Sequence, residues 1–244
     1  MHSNAQTYRF ALIITLVCSL LLAAAATLLK PRQVENEKLD MKINILKSAE
    51  ITQTDKDYSR AQIQTLYSAN IAGCVIDKSG QLLTGKTPEN LDPKKDTALL
   101  PVFEYKVDEE VKAYIIPVSG HGLWSTIYGY LSIEPDGNTI KGITFYKNGE
   151  TPGLGGEIAK KWYTDNYKGK KIFDPQGNLV SITVVKGKIA DRGIPQNEQY
   201  HYVDGISGAS LTGRGVTHFL KDNLKEYEPF FKKLSNSKEI KNNG

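Results

Sequence analysis

The sequence predicts an α+β fold: a single domain with an antiparallel sheet and packed helices, carried on one N-terminal membrane helix and a helical stalk. Three observations lead there. Residues 10–29, FALIITLVCSLLLAAAATLL, form a run of 20 residues without a charge. From Gly73 onward, short alternating runs are separated by turn residues. The chain then closes on an amphipathic helical pattern over residues 217–233.

Taken in order, residues 1–9 are a short leading segment and 10–29 the transmembrane helix. At about 1.5 Å rise per residue that run spans about 30 Å of hydrocarbon. The four alanines from Ala23 leave a cleavable signal open, whereas the length favours an uncleaved anchor. Arg9 lies on one side and Lys30 and Arg32 on the other, so charge does not set the orientation. Residues 30–72 read as the stalk, with Leu39, Ile43 and Leu46 at helical spacing and a second amphipathic stretch bearing Ile63, Leu66 and Tyr67.

Residues 73–234 form the expected domain. CVIDKSGQLL, PVFEYKV and AYIIPVSG read as strands. In TIYGYLSIEPDGNTIKGITFYK, Pro135-Asp136-Gly137-Asn138 marks the turn of a hairpin. Residues 155–167, GGEIAKKWYTDNY, read as a helix and residues 179–187, LVSITVVKG, as a strand. Phe219, Leu220 and Leu224 give the last helix its apolar side. Residues 235–244 are expected to be a frayed polar tail.

With 244 residues, 31 basic against 27 acidic, the chain carries a net charge of +4. The cations are interspersed with acids, so no nucleic-acid face is expected. Cys18 and Cys74 make no CxxC pair and four histidines show no paired spacing, so no metal site is expected. Gly205-Ile206-Ser207-Gly208-Ala209 departs from the hydrolase elbow G-x-S-x-G at two places. Gly153-Leu154-Gly155 starts like a dinucleotide fingerprint, but Ile158 stands where a third small residue belongs. There is no Walker A motif.

Three glycine-bearing segments remain: SGHGLWSTIYG at 119–129, YKNGETPGLGGE at 146–157 and DGISGASLTGRGV at 204–216. Glycine lets a planar ligand approach backbone, an aromatic offers a stacking face, and a helix N-terminus favours phosphate. Taken singly, each segment also reads as a plain turn. Together, in this order and wording, they resemble the C subunit of the sodium-translocating NADH:quinone oxidoreductases (Na+-NQR), an FMN-binding family related to the G subunit of Rnf complexes. The resemblance covers the anchor and nearly the whole globular part.

The resemblance implies an FMN joined by a phosphoester bond to the hydroxyl ending a [S/T]-G-A-T motif, attached by a flavin transferase that uses FAD as donor. Here the motif is Ser207-Gly208-Ala209-Ser210, so Ser210 would be the acceptor in place of the usual Thr, with Thr212 as a fallback. Leu211 lies between the two. Asp204 would serve transferase recognition or turn formation. In GETPGLGG, Glu150, Thr151, Gly153, Leu154 and Gly155 are the matching flavin-binding positions; Asn148 stands where relatives often carry His. Trp124, with Ser125, would also lie at the flavin, although an aromatic at such a position is more often core. No residue of this chain is expected to be catalytic by itself.

The implied role is electron relay within a membrane complex that pumps sodium and reduces quinone. The partners would be the other membrane subunits and lipid, in a bacterial inner membrane with the C-terminal domain periplasmic. The alternatives are the equivalent Rnf subunit and a flavin-free anchored assembly module.

Overall fold

The computed structural model describes residues 4–52, 56–91 and 95–242. The chain forms two compact units, residues 1–41 and 42–244. Helix α1, Asn4–Ser48, is continuous for 45 residues with Pro31 inside it. Its first part is long and apolar enough to cross a membrane. The expected step from membrane helix to stalk at residue 30 therefore leaves no break in the helix. Further on, residues counted into the stalk join the globular unit: Ile45 and Leu46 at the end of α1 are fully buried, and Ile63 and Tyr67 of α2, Arg60–Asn70, are buried. Ser59 caps α2 in a box with Gln62, each side chain meeting the other's backbone N–H.

Six strands follow: β1 (Ile71–Asp77), β2 (Leu82–Leu83), β3 (Leu99–Val107), β4 (Glu110–His121), β5 (Thr126–Ile133) and β6 (Ile140–Lys147). They form one antiparallel sheet in the order β2-β1-β3-β4-β5-β6. The expected hairpin turn stands between β5 and β6. There Asp136 accepts the N–H groups of Asn138 and Thr139, and Gly137 takes a φ of 69°. β4 and β5 pair from Tyr114↔Ile133 to His121↔Thr126. Gly122 N–H bonds the Ser125 carbonyl at 2.8 Å, closing a tight turn over residues 122–125.

The expected helix at 155–167 is three short pieces: 3-10 turns at Gly155–Ala159 and Asp165–Tyr167, flanking α3 at Lys161–Thr164. Ile158, Tyr163 and Tyr167 all enter the core. The step from Ile158 to Tyr163 does not suit a period of 3.6, and Lys160, extended at ψ 144°, absorbs it. Likewise the expected strand at 179–187 reduces to β7, Thr183–Val184, which pairs in parallel with β8, Tyr202–Val203. Ser181, at φ 67°, interrupts the run.

Helix α4, Ser210–Asn242, lies across the sheet. Val216, Phe219, Leu220, Leu224 and Phe231 are buried with Val102, Ile116, Val118, Ile127 and Leu131 in one core. Each such side chain contributes roughly 1.5–3 kcal/mol through burial. The helix begins seven residues before the expected start at Thr217 and includes most of the expected tail. Gly213 and Gly215 argue against a helix by propensity, but both are forced by packing. A Cβ on Gly215 would lie 2.4 Å from the His121 carbonyl oxygen, and one on Gly213 would lie 2.9 Å from Cγ1 of Val184.

Candidate functional site

The three glycine-bearing segments meet at one end of the sheet, and Glu150 joins them. One carboxylate oxygen, Oε1, accepts the backbone N–H groups of Leu123, Trp124 and Ser125 at 3.1, 2.9 and 3.2 Å. The other, Oε2, accepts the Thr212 hydroxyl at 2.7 Å. Glu150 is only 5% exposed. Burial alone would push its carboxyl up. The N–H of Trp124, the Thr212 hydroxyl and the N–H groups of Ser125 and Leu123 outweigh that, holding it below the ordinary value of 4.5.

Glycines make this junction possible. A Cβ on Gly122 would come within 2.5 Å of Glu150 Oε1, and one on Gly155 within 2.6 Å of Thr212 Oγ1. Gly149 N–H reaches the Ser125 hydroxyl at 2.6 Å. Asn148 turns the chain into Glu150, its Oδ1 accepting the Glu150 N–H at 3.1 Å. That is an Asx-turn role, for which no ring is required.

The third segment runs from β8 into α4. Ala209 N–H bonds the Ile206 carbonyl at 3.0 Å around Ser207 and Gly208, and Gly208 has a φ of 74°. A positive φ at that third turn position suits glycine. The next bond, Gly213 N–H to the Ala209 carbonyl, opens α4. Ser210 is thus the first helical residue, where the amides of the first turn have no partner within the helix. Ser207 and Ser210 are exposed, and among the described residues neither hydroxyl has a hydrogen-bond partner.

Thr212 differs. It is 1% exposed and its hydroxyl donates to Glu150, so it is neither accessible nor unpartnered as Ser210 is. Asp204 forms no Asx-turn; its Oδ1 accepts the Ile189 N–H at 2.8 Å, tying a distant loop to the third segment. Trp124 is not core, being 69% exposed. Leu123, Leu154 and Leu211 are likewise exposed. Leu154 reaches across to the Gly208 turn, with Cδ2 2.8 Å from where a Cβ of Gly208 would lie. Thr151 and Gly153 are exposed beside it. An exposed, unpartnered hydroxyl at a helix N-terminus thus stands next to the exposed Leu211 and follows the Gly208 turn that Leu154 meets. That donor set fits a flavin nucleotide: apolar surface for the ring system, free amides and a positive dipole end for a phosphate.

The FMN-binding domain family matches residues 122–225, which take in the second and third segments whole and the first from Gly122 onward. Two relatives, each named as the C subunit of a Na(+)-translocating NADH-quinone reductase, are 36% identical to this chain. The Pseudomonas aeruginosa protein matches over 90% of both chains. The Pasteurella multocida protein matches over 96% of this chain and 94% of its own. The chain belongs to the NqrC family, the C subunits of Na(+)-translocating NADH-quinone reductases. Crystal structures from the same family agree. The Parabacteroides distasonis protein superposes with a TM-score of 0.70 at 35% identity, covering 83% of this chain and 96% of that one. NqrC of Shewanella oneidensis gives 0.66 at 29% identity, covering 82% and 99%.

In this member of the NqrC family, Glu150 and Thr212 are among the positions singled out in the sequence, and the structure gives them the holding of the junction. Gly122, Gly213 and Gly215 carry no signal beyond being glycine, and the roles of Leu123 and Asn148 rest on backbone geometry. The separation of Thr212 from Ser210 by two positions is the one available clue. On a helix, residues two apart face nearly opposite ways.

Proposed function

We propose that this chain carries one FMN joined through its phosphate to the hydroxyl of Ser210, and relays electrons inside a membrane NADH:quinone oxidoreductase that transports sodium. The observation that supports it best is the exposed, unpartnered Ser210 hydroxyl at the first position of α4, next to the exposed Leu211 and just after the Gly208 turn that Leu154 meets.

The Ser210 hydroxyl is too weak an acid to attack a phosphoanhydride unaided, so a flavin transferase activates it. Ser210 Oγ forms the new bond to the FMN phosphorus of FAD. The pyrophosphate P–O bond breaks, AMP leaves, and the hydroxyl proton is released. The small residues Gly208 and Ala209 leave the acceptor open to the transferase. Ser207 and Gly208 shape the turn, and the first-turn amides receive the resulting phosphodiester charge. When bound, FMN supplies the one- and two-electron chemistry. The chain supplies position: Glu150 locks the 122–125 turn to α4, Thr151, Gly153 and Gly155 bring backbone close, and Leu154, Leu211 and Trp124 cover the ring system.

The flavin domain in this reading is residues 73–234. The other membrane subunits of the complex are its partners, and the first part of α1 holds it in lipid. The family likeness supports a bacterial inner-membrane location with the C-terminal domain periplasmic. Co-expression with a flavin transferase tests the linkage: the denatured wild-type band fluoresces and Ser210→Ala does not, at unchanged fold. A dark wild-type band would instead favour a flavin-free assembly module.

A further inference from the structure

We propose that Arg214 is the counter-ion of the flavin phosphate, closing over it from one turn further along α4; this rests on the Ser210 linkage proposed above. Arg214 is exposed, and among the described residues its guanidinium has no hydrogen bond or ion pair. The helix offers it no carboxylate. The positions three and four residues away on either side are Leu211, Ser210, Thr217 and His218.

Its placement also runs against the helix dipole. The first turn of α4 contains no acidic residue, although a helix N-terminus favours anions and disfavours cations. Glu150 is the carboxylate that touches this turn, and it cannot serve Arg214. Its oxygens already accept four donors inside the protein. At about 100° per residue, Thr212, which holds Glu150, points about 200° away from Ser210, whereas Arg214 lies only about 40° from it. Side chains on a helix lean toward its N-terminus, so the Arg214 side chain has the direction and length to reach the turn of Ser210. Before loading, a cation and a positive helix end share one exposed turn that among the described residues has no acidic side chain of its own. A phosphodiester on Ser210 brings one negative charge to both, and the guanidinium fork matches two phosphate oxygens.

The test is a four-state cycle on the full-length chain in detergent: wild type and Arg214→Gln, each prepared with and without the transferase, loading being read by intact mass. Flavin loading is expected to raise the melting temperature more in wild type than in Arg214→Gln. The shortfall should be about 2–4 °C for a chain of this size. Unloaded Arg214→Gln should melt no lower than unloaded wild type, and Arg214→Lys should recover part of the gain. An equal gain in wild type and Arg214→Gln would overturn the proposal and leave the Ser210 linkage standing. A wild type that gains no mass would overturn both. If Arg214→Gln takes up no flavin, Ser210→Asp supplies a charge without flavin. Arg214 must then stabilise Ser210→Asp more than Ser210→Ala, and equal stabilities would overturn the proposal.

Discussion

The Thr212 hydroxyl donates to Oε2 of Glu150 at 2.7 Å, across 62 residues of sequence. This bond fixes the rotation of α4 about its axis. With Thr212 turned inward, Ser210 faces out, and the helix begins with an accessible hydroxyl.

Replacing Thr212 by Val keeps the shape and removes the donor, leaving a buried carboxylate oxygen short of a partner. A loss of about 1–3 kcal/mol is expected, measured by thermal or denaturant unfolding. Flavin should still attach, because the proposed acceptor is Ser210. A Thr212→Val protein without flavin but of normal stability would contradict this assignment.

Glu150 also sets an acid limit. Its folded carboxyl sits below its ordinary value of 4.5, so the ionised form is favoured on folding. The stability it contributes is present above that value and is lost as pH falls through the lower, folded value. Comparing wild type with Glu150→Gln between about pH 3 and pH 6 isolates this contribution from other carboxyls. The difference in melting temperature should shrink toward acid pH.

Gly120→Ala tests how α4 is seated. Its Cβ would lie 2.1 Å from Cβ of Phe219, two fixed positions that cannot both be kept. Displacement of the helix should cost about 1–3 kcal/mol or more, and flavin content should fall with it. Gly153→Ala meets no neighbouring atom but must hold a φ of 75°, so its effect should be local strain in the loop rather than displacement of α4.

Trp124 separates surface from core. At 69% exposure its side chain contributes little to folding, and Trp124→Ala should stay within about 0.5 kcal/mol of wild type. With the ring gone, the fluorescence of the attached flavin should rise and its absorbance should shift. A large loss of stability would return Trp124 to the core.

Much of this is legible in the residues. The uncharged run at 10–29, the Pro135–Asn138 turn and the three glycine segments are readable because each depends on local composition. The rest depends on contacts between distant residues. Gly213 and Gly215 speak locally against a helix and are tolerated only because His121 and Val184 press against α4. The five-residue step from Ile158 to Tyr163 breaks a segment whose residues individually favour helix. The two-residue step from Ser210 says that Thr212 faces the other way but not that it meets Glu150, and nothing near Trp124 reveals that its ring stays outside while its N–H is held.

The central claim is the bond at Ser210, and the most direct measurement is fragment-ion mass spectrometry of the flavin-loaded protein. Cleavage after Arg192 and Arg214 releases residues 193–214, which contain Ser207, Ser210 and Thr212. The FMN mass on Ser210, with Ser207 and Thr212 unmodified, is the predicted result. FMN on either of those two residues, or a loaded protein whose peptide carries none, would contradict it.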